Sequence, residues 1–161
     1  MIFIFSAFLQ HFSVNGDDAS RCIHDEFPEW FKRHVEEDEN VELKWLAWGP
    51  MLKVTKWHTY FVNGYRFHTK EWSHGKTTMN CGVCVKGFTE GGQDDFYGII
   101  HQIYDFHYHG LSKPITLFYC EWFDPTLNRG TRVHSQYNIV DIKMNRRYQP
   151  YDPFILAQKA K

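Results

Sequence analysis

A mainly β body is what this sequence predicts: a small, partly open barrel of about five to seven antiparallel strands, preceded by one amphipathic helix. Three observations point there. From residue 54 the hydrophobic period is two, as a half-buried strand requires. Short apolar runs recur at regular spacing between turn residues. No helical pattern alternates with them, which argues against a doubly wound sheet.

Residues 1–25 read as a poorly patterned tail. Their opening, MIFIFSAFLQHF, lacks a basic leader, has a short apolar run and is followed by no small-residue cleavage site, so it does not read as a signal peptide. No apolar stretch approaches bilayer-spanning length, and the chain reads as soluble and intracellular. Residues 26–48 read as an amphipathic helix and linker. Phe27, Trp30, Phe31, His34 and Val35 share one helical face. Pro28 suits the first turn, and Asp25, Glu26 and Glu29 suit the positive end of the helix dipole. Such a stripe packs on a body or binds a partner, and packing is the commoner use.

Residues 49–161 read as the β-rich domain. Val54–Val62 and Tyr65–Thr69 flank Asn63-Gly64, the strongest short hairpin signal. A two-residue turn pairs Val62 with Tyr65, Tyr60 with Phe67 and His58 with Thr69 on the inward face. Trp57, Thr59, Phe61, Arg66, His68 and Lys70 then fall on the opposite face. Aromatics interleaved with cations suit a ligand-binding sheet, and they also occur wherever a second layer covers a sheet. Further strands are expected over Asn80–Lys86, Asp95–His107, Ile115–Phe123 and Val133–Lys143, with turns at Gly91-Gly92 and Gly110–Pro114. Asp152 and Pro153 suit the start of a short final element, FILA.

Composition sets outer bounds. The chain has 161 residues, 43% hydrophobic and 18% aromatic, which is that of a folded protein able to bury its own core. Net charge is −1, yet it is unevenly spread. Residues 1–50 carry −6 and residues 51–161 carry +5. A basic body suits a nucleic-acid face or two regions that attract each other; a solvated surface is the plainer reading. Four cysteines (Cys22, Cys81, Cys84, Cys120) are too few and too scattered for a secreted disulfide scaffold.

Five strings, VNGYRFHTKE (62–71), TTMNCGVCVKG (77–87), DFYGIIHQIYDFHY (95–108), LFYCEWFDP (117–125) and YDPFILAQKAK (151–161), occur in this order. Together they resemble the plant domain of unknown function numbered 4216, found in proteins of CACTA (En/Spm-type) transposons. FPEWFKRHV (27–35) resembles the segment that precedes that domain, where a transposase-like region ends. The resemblance implies a transposon open reading frame or its remnant, and no catalytic residues, because the family has no assigned activity. Two departures stand out. Cys81 replaces a Ser, and Cys84 stands near a position that is apolar in the family. The family pattern also runs on into a Gln- and aromatic-rich strand, so the resemblance implies a truncated C-terminus.

Candidate chemistry is sparse. Cys81 and Cys84 have zinc-like spacing, with Cys120, His107 and His109 downstream. Residues three apart in a strand point to opposite faces, and no second pair completes a ligand set, so core cysteines are the better reading and no metal or other cofactor is expected. His107 and His109 share a face but lack a third ligand. Asp94, Asp95, Asp105, Asp124, Asp141 and Asp152 could evoke a two-metal nuclease, but most sit at expected turns and caps, where carboxylates bond backbone amides. No nucleophile elbow, P-loop or dinucleotide fingerprint is present. No enzyme and no small-molecule substrate are expected.

Seven basic and two acidic residues lie between Arg129 and Lys161. Arg146, Arg147 and Tyr148 read as a compact basic–aromatic cluster, suited to phosphate and base contacts, or equally as a solubilising loop. The functional expectation is a non-catalytic module that binds nucleic acid, chromatin or a transposition partner through Arg66, His68, Lys70, Arg146, Arg147 and Tyr148, in the nucleus. The alternatives are a structural domain packing against a transposase region and a decayed fragment without activity.

Overall fold

The computed structural model describes residues 26–89, 92–134, 136–137, 139–148 and 152–161. The tail expected over 1–25, with Cys22, and the turn at Gly91 lie outside the described residues. The fold is mainly β, with antiparallel pairing between all the strands of the described residues and few helices. It divides into two compact units: residues 1–52 with 107–113, and residues 53–106 with 114–161.

In the first unit, α1 (Phe27–His34) and α2 (Val41–Trp48) pack together. Pro28 occupies the first turn of α1, where its missing N–H costs no intrahelical bond. Its apolar stripe is built from i,i+4 ring pairs, Phe27 on Phe31 at 5.3 Å and Trp30 on His34 at 4.4 Å. Asn40 caps α2 by accepting from the Glu42 and Leu43 amides, and Gly49 ends it at φ 86°. The stretch 26–48, expected to hold one helix and a linker, therefore holds two helices. The sequence VELKWLAW has apolar residues all round rather than on one stripe, which hides it from a periodicity test. His107–Lys113 also belongs to this unit, with Met51 N donating to His107 O at 2.7 Å.

The second unit is built on a long central strand. Its elements are β1 (Val54–Trp57), β2 (Thr59–Val62), β3 (Tyr65–His68), α3 (Lys70–Ser73), β4 (Gly82–Thr89), β5 (Gly92–Phe106), β6 (Ile115–Trp122), β7 (Thr131–His134), β8 (Ile139–Ile142), β9 (Phe154–Leu156) and a 3₁₀ turn (Ala157–Lys159). β5 carries β6 along one edge and β9 lies beyond β6. β4 and β1 share the other edge of β5 end to end, β4 on Gly92–Ile99 and β1 on Ile103–Phe106. β2–β3 and β7–β8 are separate hairpins.

One face of the sheet is the core. Val83, Val85, Phe96, Ile100, Ile103, Phe118, Cys120 and Trp122 are buried on it. The β2–β3 hairpin covers this face, setting Phe67 and Tyr60 edge-on to Phe118 at 5.4 and 6.0 Å. A buried polar chain ties the layers. Asp105 accepts from Trp57 Nε1 at 2.7 Å and from the Thr116 hydroxyl at 2.6 Å. With its one proton so used, Thr116 accepts from the Tyr60 hydroxyl at 2.9 Å.

Beyond β9, Ile155, Ala157 and Ala160 are buried in the same core. They carry the chain across the inner face to β4, where Cys84 and Lys161 exchange two backbone bonds, each 2.9 Å. Among the described residues no closed barrel forms: the architecture is an open five-stranded sheet with two separate hairpins. The barrel expectation gives way because the strand that begins at Val54 breaks at His58. Its halves then take different partners, β5 and β3.

Candidate functional site

The sheet face opposite the core carries the functional candidate. On β6, Thr116, Phe118, Cys120 and Trp122 point inward, so Leu117, Tyr119 and Glu121 point outward. β5 alternates likewise until a bulge between Ile100 and Gln102 shifts its register. Ile100 opposes Cys120 and Gln102 opposes Tyr119, so His101 is the extra residue. A bulge re-aims a side chain in this way: His101 and Gln102 both join Tyr119 and Glu121 on the outer face.

An aromatic surface results. Phe154 of β9 lies 5.2 Å from Tyr119 and 6.5 Å from Tyr104, and Tyr104 lies 6.2 Å from Phe106. His101 meets Tyr119 edge-on at 6.4 Å. Tyr119 and Phe154 remain 39% and 41% exposed, enough ring surface for a planar group to stack on. Cations border it. Lys56 Nζ sits 5.4 Å from the Tyr104 ring centre. Arg147 Nη1 is 2.8 Å from Glu121 Oε2, and its guanidinium lies 4.9 Å from the Phe123 ring centre. His101 Nε2 stands 3.4 Å from the same Glu121 oxygen. A cleft of about 360 Å³ opens here, lined by His101, Tyr119, Glu121, Arg147, Tyr148 and Pro153 among others.

The residues expected to form the binding surface fall in separate places. Arg66 and His68 share the outer face of the β2–β3 hairpin with Phe61 and Thr59, in the expected register. Lys70 leaves that face, because Thr69 caps α3 and Lys70 is its first residue. Trp57 leaves it too, pairing with β5 and bonding Asp105. His68 is a poor cation: desolvation lowers its pKa from the ordinary imidazole value, and Lys76 and Arg66 push the same way.

Arg146, Arg147 and Tyr148 point three ways rather than forming one cluster. Arg146 faces Asp124 at 3.8 Å, Arg147 bonds Glu121, and Tyr148 packs on Phe96 at 5.6 Å against the core. Arg147 reaches the outer aromatic face through Glu121, and Tyr148 lines the cleft beside it. Asp124 is a local hub: hydrogen bonding from Thr126 holds its carboxyl below the usual carboxylate range, against burial, with Arg129 and Arg146 adding to it.

Among the described residues no group of three His, Cys, Asp or Glu side chains converges to hold a metal. Cys81 precedes β4 while Cys84 lies within it. Burial pushes the Cys84 and Cys120 thiols above their ordinary range, which suits packing rather than nucleophilic chemistry. No helix among the described residues is long and apolar enough to cross a membrane.

Tyr119, Phe154 and His101 were not among the residues picked out by sequence. The alternation ITLFYCEW places Leu117, Tyr119 and Glu121 on one face, and that much is readable. The β5 bulge has no such marker.

A family model described as Domain of unknown function (DUF4216) matches residues 104–161. The matched stretch holds Tyr104, β6, Arg147 and β9, and so most of the outer aromatic face. No curated protein and no solved structure matches the chain.

Proposed function

We propose that the β-rich unit is a non-catalytic interaction module of a plant transposon-encoded protein, working in the nucleus, and that it binds single-stranded nucleic acid on its outer sheet face. The observation that carries this reading is the Tyr104–Phe154–Tyr119 array bordered by Lys56, His101 and Arg147. Unpaired bases stack on aromatic rings held by a sheet, and flanking cations follow the phosphates. The positive charge of residues 51–161 supports it, and the CACTA-type resemblance supplies the nuclear setting.

Binding of the full chain to labelled single strands across a salt series tests this. Affinity falls steeply with salt if phosphates are contacted. Tyr119→Ala and Phe154→Ala each weaken binding by about tenfold, within the range for one stacked base. Arg147→Glu weakens it more than Arg66→Glu or Lys70→Glu. A log–log slope near zero, or no binding at low salt, sinks the reading.

A second reading, contact with a transposase region, rests on a different surface. Trp48 is 81% exposed and Leu52 is fully exposed, whereas Trp30 and Val35 of the α1 stripe are buried. Loss of pull-down of a transposase fragment on Trp48→Ala supports this reading; retention removes Trp48 from it.

A further inference from the structure

Resting on the nucleic-acid reading above, we infer that the cleft beside Tyr119 accepts an unpaired base bearing an exocyclic amine, with Glu121 as the residue that reads it. Both contacts to the Glu121 carboxylate fall on Oε2, from Arg147 at 2.8 Å and His101 at 3.4 Å. No described residue donates a hydrogen bond to Oε1. With the Glu121 side chain 32% exposed in the cleft, this oxygen is open to accept from an N–H of a ligand.

The surrounding groups narrow the ligand. Tyr119 precedes Glu121 by two residues on the same outward face of β6, which sets a stacking ring beside the acceptor. Cytosine, adenine and guanine each present amine protons on the edge used for pairing. Thymine and uracil offer one N–H between two carbonyl oxygens, and a carboxylate repels those oxygens. Arg147 fixes the carboxylate through Oε2 and places positive charge where a strand's phosphates would pass. The bulge makes the arrangement possible, because without it His101 and Gln102 could not both face outward beside Tyr119.

Fluorescence anisotropy of the full chain with oligo-dC and oligo-dT strands of about ten nucleotides, above neutral pH, tests the inference. The expected result is tighter binding of oligo-dC by about tenfold. Glu121→Gln removes the preference while binding persists, because the amide can also donate to a thymine carbonyl. Arg147→Gln weakens both strands and keeps the preference, which separates loss of the reader from loss of its ion-pair partner. Equal binding of both strands by the unmodified chain overturns the inference and leaves the nucleic-acid reading standing. A preference retained in Glu121→Gln removes Glu121 from the role. Binding to neither strand overturns the inference and the reading beneath it.

Discussion

Asn63 donates its side-chain amide to the Ala160 carbonyl at 2.9 Å across 97 residues of sequence, and to the Gln158 carbonyl at 2.9 Å as well. The residue thus has two tasks. Its backbone, at φ 53°, makes the hairpin turn with Gly64 at φ 82°, and its side chain fastens that turn to the segment crossing the inner face. Asn63→Gly keeps the turn and removes both bonds, so it separates the tasks. The expected loss is about 1–2 kcal/mol, read by urea denaturation; an unchanged midpoint means that the two bonds contribute nothing net.

Thr116 links the Asp105 carboxylate to the Tyr60 hydroxyl inside the core. Thr116→Val preserves shape but strips a donor from a buried carboxylate and an acceptor from a partly buried phenol. A loss of about 1–3 kcal/mol is expected, larger than for Tyr60→Phe, which leaves Asp105 with both its donors. Equal losses in the two variants would show that Tyr60, not the carboxylate, is the sensitive member.

Gly98 opposes Trp122 across the β5–β6 ladder. A Cβ at this position would stand 2.6 Å from Trp122 Cε3 and 2.9 Å from the Glu121 carbonyl oxygen. One of these neighbours is backbone, so it cannot swing aside. Gly98→Ala is expected to destabilise by about 1–3 kcal/mol through overpacking. Thermal melting checks this, and an unshifted melt would mean that the indole relocates freely.

His68 contributes a pH dependence of definite sign. Burial lowers its folded-state pKa below the ordinary imidazole value, and Nδ1 is buried without a hydrogen-bond partner. The unfolded chain therefore takes up the proton first as pH falls. The contribution of neutral His68 is fully present above about pH 6.5 and is lost as pH drops through the lower folded-state value. His68→Phe should flatten the stability profile in that window. A slope as steep as that of the unmodified chain would assign the effect to other groups.

The β2–β3 hairpin was legible because Asn63-Gly64 fixes a two-residue turn and the turn fixes every pair that follows. The continuation on either side was not. His58 carries no breaker signal, yet there the backbone passes from β1 to β2 and trades one partner for another. Thr69 could have been recognised as a cap, which would have taken Lys70 off the strand face. Arg146, Arg147 and Tyr148 are adjacent in sequence, but each direction is set by a partner elsewhere: Asp124, Glu121 and Phe96. The candidate site was the least readable part. It depends on His101 being surplus to the ladder, and that follows from the pairing of two strands rather than from either strand alone.

The inner layer is assembled from residues far apart in the order of synthesis: Phe67 near the start of the β-rich unit, Ala157 and Ala160 near residue 161. While the chain is being made, the sheet's apolar face must wait for residues 155–161 before its covering is complete. The Cys84–Lys161 bridge cannot form earlier, so β4 keeps an open edge until then. Long-range closure of this kind is slow, and an uncovered face with an unpaired strand is where nascent chains associate wrongly. The interval before those few residues emerge is therefore the unit's period of greatest exposure to misassembly.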